Sequence, residues 1–308
     1  MPTVLFAARP ESWRTWREPL GRALAEAVPS ARLTPEADPE AADYVVLSPS
    51  GPIADFAPYV RTRAVLNLWA GVEEALAIPN LTQPLARMVD PGLTQGMVEW
   101  VTGHVLRHHL GMDAHVANPE RRWDPVAPPL APSRRVGVLG LGELGAACAA
   151  ALARLGFEVA GWSRSAKAIE GIEARHGPDG LDAVLRRSDV LVLLLPLTPA
   201  TEGLLDARRL ALLPPGAVVL NPGRGGLVVD DALIAALDGP LGHATLDVFR
   251  AEPLPRAHPF WGHPKVTVTP HIASATRPET ASRCIAENVR RCEAGEPLLH
   301  LVDRDRGY

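Results

Sequence analysis

Three side chains in the second half of the chain have types that suit acid/base chemistry on an anionic small molecule: Arg224, Glu252 and His271. Imidazole titrates closest to neutral pH, so His271 is the best candidate for proton transfer. A carboxylate such as Glu252 on the other ring nitrogen would orient the ring and favour its protonated form. The planar fork of Arg224 can pair with both oxygens of a substrate carboxylate. Each residue alone also fits a structural role, and it is their joint placement that favours catalysis.

A glycine-rich segment lies upstream of these residues, directly after an apolar run at residues 135–139. Gly140 permits a tight turn, Gly142 lets the backbone approach a pyrophosphate, and Gly145 allows a helix to pack closely on a strand. The amide groups at the N-terminus of that helix then face the phosphates. The pattern predicts a dinucleotide-binding site formed by Gly140, Leu141, Gly142, Glu143, Leu144 and Gly145.

The next predicted strand, residues 158–162, is followed by Ser163, Arg164 and Ser165. An acidic residue at this point would bind the ribose hydroxyls of NAD, and none is present. The two serines can donate hydrogen bonds, and Arg164, with Lys167 nearby, can neutralise a 2′-phosphate. NADP is therefore the predicted cofactor and NAD the less favoured one. The alternative is that Arg164 is a solvated surface charge.

Strands that end beside one another are needed to bring these residues together. A proline-rich connector at residues 118–133 is followed by short apolar runs that alternate with helical patterns or loops, which predicts a doubly wound parallel sheet. The predicted strands of this sheet are residues 135–139, 158–162, 189–195, 217–221, 242–248 and 265–269. The first ninety or so residues predict a smaller parallel-sheet domain, with strands at 3–7, 43–47 and 64–68. Helices are predicted at residues 11–28, 94–110 and 278–301.

Composition argues against several classes of function. The 31 Lys and Arg residues against 35 Asp and Glu give a formal net charge of -4, too little positive charge to grip nucleic acid or an acidic membrane. No apolar run approaches the ~20 residues that cross a bilayer. Cys148, Cys284 and Cys292 indicate neither a disulfide framework nor a zinc site, and they suit a cytoplasmic setting. His104 and His108 have i, i+4 spacing, but no third ligand completes a metal site, so no metal is predicted.

The chain resembles a known family in its motifs and in their order. The matching features are the glycine segment, the Arg224 turn, Asp247, Glu252 and the run from Pro270 to Ala273. Together they resemble the D-isomer-specific 2-hydroxyacid dehydrogenases, in particular their glyoxylate/hydroxypyruvate reductase branch. The resemblance implies that Arg224 holds the substrate carboxylate and carbonyl, that His271 is the acid/base and that Glu252 supports it. It also implies cofactor contacts from Asp247, on the nicotinamide side, and from Pro196.

The resemblance extends to the first ninety residues. The segment 68–73 is similar to the loop whose backbone amides meet the substrate carboxylate in that family, which implies substrate binding by Trp69, Ala70, Gly71 and Val72. Trp69 stands where a small residue is usual, and Glu73 where aspartate or asparagine is common. The implied organisation is a flavodoxin-like substrate domain of residues 1–94 and 278–308 and a Rossmann dinucleotide-binding domain of residues 95–277.

The resemblance and the residues together predict a reductase of short 2-oxo acids that uses NADPH. The expected reactions convert glyoxylate to glycolate and hydroxypyruvate to D-glycerate, with His271 as the acid/base. One alternative is an NAD-linked dehydrogenase of a larger 2-hydroxy acid. Another is a non-catalytic nucleotide-sensing protein on the same fold, against which the joint presence of Arg224, Glu252 and His271 argues. The expected partners are a small acid and a second copy of the chain, with no nucleic acid and no membrane.

Overall fold

The computed structural model describes all residues from Met1 to Tyr308. The chain forms two compact units, one of residues 1–93 and 275–308 and the other of residues 94–274. The division into a substrate domain of residues 1–94 and 278–308 and a dinucleotide-binding domain of residues 95–277 stays a prediction. No helix combines the length and the apolar character that a membrane span requires.

The strands and helices alternate along the whole chain. The strands are β1 (Thr3–Ala7), β2 (Arg32–Thr34), β3 (Tyr44–Leu47), β4 (Ala64–Asn67), β5 (Leu85–Ala86), β6 (Arg135–Leu139), β7 (Glu158–Ser163), β8 (Glu173–His176), β9 (Val190–Leu193), β10 (Val218–Asn221), β11 (His243–Leu246) and β12 (Val266–Val268). The helices are α1 (Pro10–Ala27), α2 (Glu73–Leu76), α3 (Pro91–His109), α4 (Met112–Val116), α5 (Glu143–Arg154), α6 (Gly177–Arg187), α7 (Ala207–Leu210), α8 (Asp230–Asp238) and α9 (Pro278–Glu293).

The first unit is built on a five-stranded parallel sheet in the order β2-β1-β3-β4-β5. This is the flavodoxin-like strand order, in which the chain winds first to one side of β1 and then to the other. Strand β3 is buried along its whole length, as expected of a parallel strand covered by helices on both faces. Helix α1 packs against α9, so residues from both ends of the chain build this unit.

The second unit contains a seven-stranded parallel sheet in the order β12-β11-β10-β9-β6-β7-β8. Both β7 and β9 pair with β6 in parallel, so the direction of winding reverses at β6. Ligands bind at such a switch point in open α/β sheets, beyond the carboxyl ends of the strands. The prediction of two doubly wound parallel sheets is confirmed, and the second sheet has the Rossmann order.

Two predictions of local structure were wrong. The last helix was expected to reach residue 301, but α9 ends at Glu293 because Gly295 takes a left-handed φ of 71°. The Glu296 amide then donates to the Arg291 carbonyl, which closes the end of the helix. The sequence pattern also missed β2, β5 and β8, all of which are short strands at the edges of their sheets.

Candidate active site

Arg224 lies on a tight turn that follows β10. The buried side chain of Asn221 closes this turn: its Nδ2 donates to the Arg224 carbonyl at 2.9 Å, and its Oδ1 accepts from the Gly223 amide at 3.2 Å. Gly225 packs so closely on the next loop that a Cβ there would lie 2.0 Å from the Phe249 carbonyl carbon. The turn therefore holds Arg224 at the carboxyl end of the sheet, as the sequence predicts.

Glu252 and His271 form a direct pair. His271 Nδ1 lies 2.6 Å from Glu252 Oε2, and Glu252 Oε1 accepts from the Phe249 amide at 2.8 Å. An ionised carboxylate only accepts, so Nδ1 carries the hydrogen in this contact. The imidazole side chain is 52% exposed, and its Nε2 has no protein partner. This leaves Nε2 able to exchange a proton with a ligand.

Asp247 shapes the segment that carries His271. Its carboxylate is fully buried and accepts from the Thr269 hydroxyl at 2.5 Å and from the amides of Ile272 and Ala273, each at 2.9 Å. Its carbonyl accepts from the His271 amide at 2.8 Å. Asp247 therefore binds the amides of His271 and of the two residues that follow it, and these bonds fix the position of His271. The predicted contact of Asp247 with the nicotinamide side of the cofactor stays a prediction.

The three predicted catalytic residues follow three strands that are neighbours in the sheet. Arg224 comes after β10, Glu252 after β11 and His271 after β12. Parallel strands end at the same edge, so these loops gather there. His271 has a φ of 54°, a left-handed conformation that few residues other than glycine adopt. The arrangement can hold an anion and exchange a proton beside it.

The glycine segment has the geometry of a nucleotide cradle. Gly140 has a φ of 103°, and a Cβ on Gly145 would lie 1.7 Å from the Gly140 carbonyl oxygen, so neither position accepts a side chain. A Cβ on Gly142 would meet no atom within 4 Å, and no side chain caps the start of α5 there. Leu141 packs into the core against Gly161, which leaves only its main chain for a ligand. Open space over an uncapped helix N-terminus fits a pyrophosphate.

The loop after β7 contains the residues predicted to select the cofactor. The Ser163 hydroxyl donates to the Ser165 carbonyl at 2.7 Å, so it shapes the loop and has no proton left for a ligand. The side chains of Arg164, Ser165 and Lys167 lie at the surface. These two exposed cations and the exposed Ser165 hydroxyl suit a phosphate. Pro196, the other predicted cofactor contact, follows β9, and its carbonyl accepts from the Thr201 hydroxyl at 2.7 Å.

In the first unit, the loop after β4 turns its carbonyl groups inward. The Asn67 Nδ2 donates to the carbonyls of Trp69 at 2.9 Å and Gly71 at 2.8 Å, and the Thr276 hydroxyl donates to the carbonyl of Leu68 at 2.7 Å. The amides of residues 69–72 have no protein acceptor. Inward carbonyls and unpaired amides are the properties that a backbone anion site requires. Sequence reasoning named the loop but missed Asn67, which only marks the end of a strand in the sequence.

His108 of α3 packs inside the second unit. His108 Nε2 lies 2.9 Å from the Thr245 hydroxyl, and its ring lies 4.8 Å from that of His243. Burial lowers the pKa of His108 to about 4, with a further lowering from the nearby His243 and Arg107. No group of three or more His, Cys, Asp or Glu side chains is arranged to hold a metal ion.

We expect the stability of the second unit to fall in mild acid because the imidazole of His108 is buried. The unfolded chain binds a proton at His108 near pH 6.5, whereas the folded protein does so only near pH 4. The stabilisation from neutral His108 is therefore complete above pH 6.5 and is lost as the pH falls toward 4, by about 2 kcal/mol between pH 7 and pH 5. Urea unfolding at both pH values measures this loss.

The variant His108→Gln should remove the loss of stability between pH 7 and pH 5 that is assigned to His108. Glutamine keeps a donor for Thr245 and does not titrate. The exposed His115 supplies the matched control, His115→Gln, which should keep the wild-type response to pH. An unchanged pH response in His108→Gln would show that the buried ring does not carry the effect.

Sequence comparison identifies relatives over nearly the whole chain. The family model described as D-isomer specific 2-hydroxyacid dehydrogenase, NAD binding domain, matches residues 103–273. Glyoxylate/hydroxypyruvate reductase A of Serratia proteamaculans is 41% identical over 257 residues, which are 80% of this chain and 82% of that protein. The protein of the same name from Yersinia enterocolitica is 38% identical over 281 residues, 88% of this chain and 89% of that protein.

Solved structures agree with these relatives. A D-isomer specific 2-hydroxyacid dehydrogenase from Xanthobacter autotrophicus Py2, in complex with NADPH and MES, is 44% identical with a TM-score of 0.92 and covers 100% of this chain and 99% of that one. An NADPH-dependent glyoxylate/hydroxypyruvate reductase from Sinorhizobium meliloti, in complex with NADP and sulfate, is 37% identical with a TM-score of 0.90 and covers both chains fully. The predicted family is confirmed: the chain belongs to the D-isomer specific 2-hydroxyacid dehydrogenases and is an NAD(P)-dependent oxidoreductase.

Proposed function

We propose that this protein uses NADPH to reduce short 2-oxo acids, glyoxylate to glycolate and hydroxypyruvate to D-glycerate. The observation that carries the proposal is the 2.6 Å Glu252–His271 pair, with Nε2 of the ring unpaired, on the loops next to the Arg224 turn. Reduction of a 2-oxo acid needs a proton donor at the carbonyl oxygen and a cation at the carboxylate, and these residues supply both. The names of the relatives from Serratia and Yersinia support the substrate class.

In the proposed mechanism Arg224 binds the substrate and His271 moves the proton. The guanidinium pairs with the carboxylate and polarises the carbonyl group. Reduced nicotinamide, when bound, supplies the hydride to the carbonyl carbon. His271 Nε2 gives its proton to the carbonyl oxygen, so that the C=O group becomes CH–OH, and the Glu252 carboxylate balances the charge of the ring before the transfer. We assign the amides of residues 69–72 to binding of an anionic group of the substrate.

NADPH is the proposed cofactor because the residues present suit its phosphates. The glycine segment leaves open space at the start of α5 for the pyrophosphate, and Arg164 and Lys167 provide positive charge for a 2′-phosphate. The NADPH and NADP complexes of the Xanthobacter and Sinorhizobium relatives support this assignment. A homodimer stays a prediction, which light scattering of the purified protein tests.

The first experiment follows the nicotinamide absorbance of purified protein mixed with NADPH and glyoxylate, and then with hydroxypyruvate. We expect turnover with both acids and a lower kcat/KM with phenylpyruvate. A preference for phenylpyruvate with NADH would favour the NAD-linked dehydrogenase of a larger acid. An absence of turnover with any 2-oxo acid and either cofactor would refute the proposed reaction.

Arg164→Ala tests the basis of the cofactor preference. Hydrogen bonds to a charged group contribute about 1.5–3 kcal/mol, so we expect the KM for NADPH to rise about 10- to 100-fold while the KM for NADH stays unchanged. The control is Arg154→Ala, which removes an exposed arginine from the far end of α5. Equal changes toward both cofactors in Arg164→Ala would contradict recognition of the 2′-phosphate.

A further inference from the structure

Arg250 joins two loops of the second unit that carry the proposed catalytic residues. It lies two positions before Glu252 in the loop after β11. Its Nη2 donates to the Val228 carbonyl at 2.9 Å and to the Gly226 carbonyl at 3.3 Å, and its Nε donates to the Val228 carbonyl at 3.2 Å. The guanidinium thus binds the two main-chain carbonyls that follow the Arg224 turn.

The main chains of the two loops are also in direct contact. Glycine at position 225 is required because any Cβ there would collide with Phe249. The Phe249 amide in turn donates to Glu252, so one residue touches both the Arg224 turn and the partner of His271. A shift of the turn relative to this loop would therefore change the distance from Arg224 to the Glu252–His271 pair.

We infer that Arg250 is a positioning residue for the reaction. By holding the carbonyls of Gly226 and Val228, it fixes the turn that presents Arg224 relative to the loop that presents Glu252. The inference rests on the proposed function, since it assigns Arg250 an effect on substrate alignment. The hydrogen bonds of the Arg250 guanidinium go to main-chain carbonyls and not to any of the three proposed catalytic side chains.

Two acidic side chains hold the guanidinium of Arg250 in place. Glu202 lies 3.6 Å from Nη1, and Asp230 lies 3.9 Å from Nε. Asp230, which begins α8, also lies 3.5 Å from His258 Nε2. The arginine side chain is 39% exposed, so its truncation removes no fully buried group, and the Gly226 carbonyl keeps the Gly203 amide as a donor at 2.8 Å. The fold should therefore tolerate its replacement.

The test compares Arg250→Ala and Arg250→Lys with the control Arg256→Ala, which removes an exposed arginine from the same loop region. Because small misplacements of reacting groups cost up to about 100-fold in rate, we expect kcat/KM for glyoxylate to fall about 10- to 100-fold in Arg250→Ala, with a higher KM and a lower kcat. Lysine can donate to a carbonyl but lacks the fork, so Arg250→Lys should recover part of the loss. Arg256→Ala should match the wild type.

Two further measurements separate positioning from a general loss of structure. Oxalate, a planar dicarboxylate that resembles a 2-oxo acid, should bind more weakly to Arg250→Ala in calorimetry, whereas the Kd for NADPH and the Tm should stay at wild-type values. A wild-type kcat/KM in Arg250→Ala would overturn the inference. Parallel losses in NADPH binding and Tm would also overturn it, because they indicate a structural role alone.

The outcomes also separate this inference from the proposed function. If the wild type reduces 2-oxo acids and Arg250→Ala is unaffected, only the role of Arg250 fails. If the wild type reduces none of them, the proposed reaction fails. In that case weaker oxalate binding by Arg250→Ala would still support the positioning of Arg224, and unchanged oxalate binding would contradict it.

Discussion

Replacing His271 by asparagine is expected to lower kcat for glyoxylate reduction by about 10²- to 10⁴-fold, the usual contribution of a positioned acid/base group. Asparagine is the suitable substitution because His271 has a φ of 54°, a conformation that asparagine adopts more readily than other side chains. The KM for glyoxylate and the Kd for NADPH should change little, since Arg224 and the glycine segment remain. Steady-state kinetics and NADPH titration measure the three quantities.

The control for this prediction is His115→Asn, at an exposed histidine of α4, which should keep the wild-type kcat. A wild-type kcat in His271→Asn would assign the proton transfer to another group. A rise in KM with no change in kcat would instead make His271 a binding residue.

Arg224→Ala is expected to impair substrate binding and turnover together. The arginine fork makes charge-assisted hydrogen bonds to the carboxylate and polarises the carbonyl, so we expect kcat/KM for glyoxylate to fall by about 10²- to 10⁴-fold. Arg224→Lys keeps the charge without the fork and should recover only part of the activity. Added guanidinium ion should partly restore Arg224→Ala, because it supplies the missing group.

The matched control for Arg224 is Arg256→Ala, which removes an exposed arginine of the same unit. The Kd for NADPH should stay at its wild-type value in every Arg224 variant. A loss confined to NADPH binding, with an unchanged KM for glyoxylate, would contradict substrate binding by Arg224 and would indicate that Arg224 binds the cofactor.

The sequence pattern was most informative where strands are buried on both faces. The runs at β1, β6 and β10 contain consecutive apolar residues, which parallel strands under helices require. Strand β8 has exposed residues along its length, so its side chains carry no comparable signal. The end of α9 depended on one glycine with a positive φ, Gly295, which lies inside the segment that the sequence pattern predicts as helix.

The sequence predicted a contact between two side chains of the candidate site, but it did not predict the hydrogen bonds that side chains make to main-chain carbonyl groups there. Residue type and position after a strand were enough to suggest the Glu252–His271 pair, which the structure places at hydrogen-bonding distance. The bonds that Asn67 and Arg250 make to carbonyl groups depend on how each loop orients its peptide planes. Residue types along the chain do not report that orientation, so sequence reasoning missed both residues.

The first unit is assembled from both ends of the chain, and this fixes an order of events during protein synthesis. Helix α1 packs on α9, but about 250 residues separate them. At ~5–20 residues per second, the ribosome adds the intervening chain in roughly 12–50 s. The whole of the second unit emerges in that interval and can fold first. Helix α1, with its buried Leu20 and Leu24, therefore has no α9 to pack against until residues 278–293 have been synthesised.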